Sequence, residues 1–174
     1  FSFGIPLTSV ENPVTGDPSP PGGFKVTVNN AETLAFVSED APGAVEVIDL
    51  VQRVSAEQIL VGAFPTTMVL SADESELYVG HNAAKVSVLN VSQRALVDSI
   101  SIARAANGRI AATSDASTLY IATTHLDADH TSGALVQIQS IDVATRSVID
   151  SVRISNLPDF SGQVVDLKVS PTGG

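Results

Sequence analysis

Hydrophobic and polar positions alternate along most of this chain in short runs, and clusters of turn residues separate the runs. "FKVTV" stops at Asn29-Asn30, "TLAFVS" at Glu39-Asp40, "AVEVIDL" before Gln52-Arg53, and "VSAEQILVG" before Pro65. The runs are rich in Val, Ile and Leu, which suit a pleated, half-buried strand. No stretch keeps a 3.6-residue period, so no helix is predicted. The pattern predicts an all-β protein.

The same order of runs recurs with a period of about 42 residues. Leu34, Leu77 and Leu119 align, and Asp49, Asn90 and Asp142 close the strand that follows. Asn30, Asp73 and Asp115 hold equivalent turn positions, where a short polar side chain can bond its own backbone. The third unit carries extra residues between Ile121 and Ala134. Four short strands per unit of this length describe a propeller blade, with an inner strand A followed by B, C and an outer strand D. The expectation is a β-propeller segment of about three four-stranded blades plus flanking strands, with a β-sandwich as the alternative. Residues 1–23 read as an outer strand over 1–9 followed by a Pro/Gly-rich loop. Residues 24–174 read as three blades and the inner strand of a fourth, at 164–174.

Composition narrows the function classes. With 174 residues, 44% hydrophobic and 16% charged, the chain can bury a core. A net charge of -10 opposes binding to nucleic acid or to an anionic membrane surface. The apolar runs are too short to span a membrane as a helix. With no Cys, disulfides, thiolate metal sites and a Cys nucleophile are excluded. The motifs G-x-S-x-G, H-E-x-x-H, G-x-G-x-x-G and the phosphate-binding loop are all absent.

From Gly43 to Val79 the chain resembles the YVTN-type β-propeller repeat, and the resemblance covers nearly the whole chain from Phe24 onward. Val45 to Asp49 match its V-x-V-I-D strand, and Val61-Gly62 with Pro65 match its V-G-x-x-P turn. Ser71 to Asp73 match its S-x-D-G turn, and Leu77-Tyr78-Val79 match its Leu-Tyr-Val strand. Residues 141–152 match the C-to-D passage. Glu74 replaces the turn glycine, and the second unit has "IARAAN" where the V-G-x-x-P turn belongs. The resemblance implies a bacterial or archaeal surface protein, a lactonase-like enzyme or the propeller part of a redox enzyme, usually with seven blades. It brings no catalytic residues, because the repeat is structural. Three blades fall short of the four to eight that close a ring. The expectation is therefore a segment of a longer propeller, or a chain completed by a partner.

The three B-to-C loops, at 38–43, 80–84 and 125–133, carry the residues able to do chemistry. His81, His125 and His130 all fall there, with Asp127 and Asp129 beside them. Imidazole and carboxylate together suit a transition metal, and the D-x-D of residues 127–129 suits Ca²⁺, although no third Asp or Asn and no terminal Glu complete that pattern. No cofactor is required by the sequence; Ca or a transition metal at the 125–130 loop is the one candidate. Solvated loop side chains account for the same residues. Arg104 and Arg109 flank a D-to-A crossing and could meet an anion, or could simply keep an exposed turn soluble. The leading expectation is a non-catalytic extracellular, cell-surface or periplasmic scaffold for protein or surface interactions. A lactonase-like or metal-dependent redox enzyme is one alternative, and a subunit that self-assembles through open strand edges is another.

Overall fold

The computed structural model describes residues 10–11, 18–19, 23–62, 64–103, 109–126, 134–154 and 167–170. Two short strands, β1 (Val10–Glu11) and β2 (Pro18–Ser19), pair antiparallel where composition predicts only loop. Three four-stranded sheets follow. Blade 1 comprises β3 (Gly23–Val28), β4 (Leu34–Glu39), β5 (Ala44–Asp49) and β6 (Val54–Leu60). Blade 2 comprises β7 (Pro65–Leu70), β8 (Glu76–His81), β9 (Lys85–Asn90) and β10 (Ala95–Ser101). Blade 3 comprises β11 (Arg109–Ala112), β12 (Thr118–Leu126), β13 (Ala134–Asp142) and β14 (Ser147–Ile154). In each blade, strands adjacent in sequence are hydrogen-bonded neighbours, and every ladder is antiparallel. The sheets are separate and do not close on one another, which favours a propeller segment over a sandwich. Residues 1–9, the expected outer strand, and 164–166 lie outside the described residues, and 167–170 are not in a strand.

The turns explain why the repeat folds as it does. Between A and B, the carboxamide of Asn29 accepts from the Thr33 and Leu34 amides, the Ser71 hydroxyl from Glu76, and the Thr113 hydroxyl from Thr118. Between C and D, the Asp49, Asn90 and Asp142 side chains cap the Gln52, Gln93 and Thr145 amides. Arg53, Arg94 and Arg146 then take positive φ to turn the chain into the outer strand. These bonds correct the alignment by one residue. Leu34 faces Asp49 as Glu76 faces Asn90 and Thr118 faces Asp142. The counterpart of Leu77 and Leu119 is therefore Ala35, and that of Asp73 and Asp115 is Ala31 rather than Asn30. Matching leucines by type misled, because a ladder is set by pairing and by the turn, not by one conserved-looking side chain.

The blades pack face to face. Phe36, Val45, Val47, Ile59 and Val61 on the trailing face of blade 1 meet Met68, Leu77, Val79 and Leu89 on the leading face of blade 2. Tyr78, Val86, Val88, Ile100 and Ile102 on the trailing face of blade 2 meet Ile110, Leu119, Ile121 and Ile141 of blade 3. Because a strand's side chains alternate, one blade offers apolar residues to both neighbours, and its B and C strands read as nearly continuous apolar runs. The seams are closest along the inner strands: β7 lies against β3 and β4, and β11 against β7. Arg146 adds a polar tie between blades 2 and 3, with bonds of 2.7 Å to Glu76 and to Asp98.

Candidate functional site

A layer of buried polar side chains crosses each leading face at the same repeat positions. At the end of strand B stand Glu39, His81 and Thr123; in the middle of strand C stand Glu46, Ser87 and Gln139. All six are fully buried. An unpaired buried polar group costs about 1–3 kcal/mol, so the bonds these residues make decide what the layer does.

In blade 2 they make a chain of bonds. His81 Nε2 lies 2.9 Å from Ser87 Oγ, and Ser87 donates at 3.3 Å to the carbonyl of Val61, where the chain leaves blade 1. Lys85 Nζ donates to the same carbonyl at 2.8 Å. In blade 3 the polarity reverses: Gln139 Oε1 accepts from the Ala103 amide at 3.0 Å, where the chain leaves blade 2. The layer thus ties blades 2 and 3 each to the connection that leaves the blade before it. Gly62 lies on that connection with φ +96, a conformation that favours glycine, and its amide donates to the Gly43 carbonyl.

Blade 1 carries two acids at these positions. Glu39 Oε2 accepts from Gln58 Nε2 at 2.9 Å, and Glu46 accepts from the Ser55 hydroxyl. Glu39 Oε1 has no hydrogen-bond partner. Burial pushes the Glu39 carboxyl up to about 6; the Gln58 bond opposes the shift, and the nearby Glu46 and Asp40 charges add to it. On blade 2, burial and the adjacent Glu76 carboxylate hold the Tyr78 hydroxyl well above its ordinary range. Bonds from Ser71 and Ser75 hold Asp73 below its ordinary range, and bonds from Thr113 and Ser117 bring Asp115 to about 2.

His81 is not at a loop tip. It ends β8, opposite Pro65, and is buried in the seam. The Gly-His-Asn stretch reads as a polar elbow, but the ladder runs through His81 before the chain turns. His125 lies in β12 opposite Leu135, and its side chain is outside the described set. Asp127, Asp129, His130 and Arg104 also lie outside the described residues. Arg109 opens β11 opposite Ala122. Among the described residues, no group of three or more His, Cys, Asp or Glu is placed to hold a metal ion, and no helix is long and apolar enough to cross a membrane. Sequence reading missed Glu46, Ser87 and Gln139. Their signal was a polar residue interrupting an apolar C strand at one repeat position, in "AVEVID", "KVSVLN" and "VQIQSID".

No protein family matches the chain, and no curated protein matches it. Among solved structures it is similar to Kuenenia stuttgartiensis hydrazine synthase, with a TM-score of 0.69 and 18% identity over 76% of this chain and 37% of that one. It is also similar to a functionally unknown protein from Desulfotomaculum acetoxidans, with a TM-score of 0.60 and 14% identity over 77% of this chain and 43% of that one. The chain spans less than half of either. At these identities the likeness speaks for the fold, and with the three blade-like sheets it makes this chain a propeller-like, all-β protein.

Proposed function

We propose that the chain is a non-catalytic β-propeller scaffold of the YVTN-type repeat, working outside the cytoplasm and making protein or surface contacts. The observation that carries this reading is the use of the buried polar layer. His81, Ser87 and Gln139 join one blade to the next, so side chains able to do chemistry serve the architecture. The net charge of -10 is compatible with an extracellular or periplasmic setting.

The test is His81→Ala. A scaffold loses stability, by about 2–3 kcal/mol for the cavity and the lost bond, and shows no turnover before or after the change. The measurements are urea unfolding of both proteins and assays of both with a panel of lactones and redox dyes. Turnover by the natural chain that His81→Ala abolishes without loss of stability would replace the scaffold with an enzyme.

A further inference from the structure

The three leading faces carry different charges at the same repeat positions. Counted from the paired strand ends, blade 2 has His81, Lys85 and Ser87 there, and blade 3 has Thr123, Gln137 and Gln139. Blade 1 has Glu39, Ala44 and Glu46. Blade 2 thus brings a cation of its own into the layer: Lys85 Nζ donates to the Val61 carbonyl that Ser87 also reaches. Blade 1 has an alanine in the place of that lysine and sets a carboxylate in each of the other two places. Both carboxylates are fully buried. Taking a carboxylate out of water is costly unless donors or a counter-charge meet it.

At Glu39 that demand is half met. Oε2 accepts from Gln58 Nε2 at 2.9 Å, reaching over β5 where Ala44 stands opposite Glu39, and Oε1 has no partner. Burial raises its pKa, and the charges that act on it, those of Glu46 and Asp40, are both acidic. Glu46 accepts from the Ser55 hydroxyl. Gln58 spends its Nε2 on Glu39, which leaves its side-chain carbonyl as an acceptor. This face of β4, β5 and β6 therefore gathers two carboxylates, an amide carbonyl and a hydroxyl. Gln58 and Ser55 are half-buried, so the cluster reaches solvent along β6.

We propose that blade 1 binds one Ca²⁺ ion between Glu39 and Glu46, with the Gln58 carbonyl and the Ser55 hydroxyl as further ligands. The ion gives Glu39 Oε1 the partner it lacks and supplies the positive charge that Lys85 supplies in blade 2. The donors are all oxygen, with no His or Cys among them, which favours a hard cation over Zn²⁺ or Cu²⁺. Burial favours Ca²⁺ over Mg²⁺, because Mg²⁺ holds on to several waters in a strict octahedron and Ca²⁺ takes protein oxygens in flexible number. With two carboxylates the expected Kd is weak, about 10⁻⁴–10⁻³ M, as in extracellular calcium modules. The site is separate from the 125–130 loop singled out in the sequence. It goes beyond the scaffold reading and does not depend on it, since the ion is bound whether or not the chain has turnover.

The experiment is a CaCl₂ titration of the purified chain after treatment with EDTA, read by thermal unfolding and by equilibrium dialysis, with MgCl₂ in parallel. The expected result is one Ca²⁺ per chain and a melting temperature that rises with CaCl₂ and much less with MgCl₂. Loss of a residue that merely supports a metal ligand costs about 10–100-fold in affinity, so Glu39→Gln and Glu46→Gln should each weaken binding by at least about tenfold. Either variant carries the test if the other does not keep the natural circular dichroism spectrum. Ala44→Lys, which copies the arrangement of blade 2, should fill the site with a charge of its own and abolish the response. Asp127→Asn with Asp129→Asn should leave binding unchanged. No bound ion at about 10 mM CaCl₂, well above the expected Kd, would overturn the proposal. Binding that persists undiminished in folded Glu39→Gln or Glu46→Gln would overturn it, as would binding lost in the Asp127, Asp129 pair, which would move the ion to that loop. Equal affinity for Mg²⁺ would overturn the assignment to Ca²⁺.

Discussion

Replacing Glu39 by Gln tests whether the polar layer of blade 1 holds a strained carboxylate. Glu39 is fully buried, its Oε1 is unbonded and its carboxyl is pushed from 4.5 to about 6. The native state thus holds the proton more tightly than the unfolded chain does. Stability is unaffected well below the unfolded value, falls as pH rises from about 4.5 to about 6, and stays reduced above that. Converting the shift directly gives about 2 kcal/mol, and solvent screening near the carboxylate reduces that to about 1 kcal/mol. Glu39→Gln cannot ionise and escapes this loss. The amide brings its own constant cost in a site with few acceptors, so the informative quantity is the change in the gap with pH. Moving from about pH 4 to about pH 8, the natural chain should lose about 1 kcal/mol relative to the variant. Urea unfolding followed by far-ultraviolet circular dichroism suits a chain without Trp. A gap that does not change with pH, or one that widens in favour of Glu39 as pH rises, would refute the reasoning.

Arg146 joins blade 3 to Glu76 and Asp98 of blade 2. A double-mutant cycle of Arg146→Ala with Glu76→Gln should give a coupling of about 0.5–1 kcal/mol, shrinking in about 1 M salt; a cycle that closes at zero in low salt would remove this tie from the account. Gly62→Ala should cost about 1–2 kcal/mol, because φ is +96 and the new Cβ would sit 2.9 Å from Lys85 Nζ. Adding Lys85→Ala should relieve the contact but not the backbone strain, and full recovery in thermal melts would place the whole cost in the contact.

Much of the fold was legible in the chain because strand geometry is local. Alternation at two residues, Asx turns and a recurring period sufficed for strands β3 to β14, their order and their grouping in fours. The one-residue error at Leu34 and Leu77 shows the limit: side-chain type suggests a register, whereas the ladder to Asp49 and Asn90 sets it. His81 shows the same limit in the site. Beside Gly80 and Asn82 it looks like the tip of a loop, and only its pairing with Pro65 and the packing of blade 1 over it make it a buried tie.

By itself, then, the sequence determined an acidic, Cys-free, all-β repeat with three blade-sized units, because hydrophobic period and turn chemistry are written residue by residue. The tertiary structure alone decided which polar residues lie in the seams, which backbone atoms they reach, and which apolar residues remain uncovered. Those properties depend on what a neighbouring blade places opposite each side chain, and residues such as Val61 and Ser87, or Ala103 and Gln139, come together only when one sheet packs on the next.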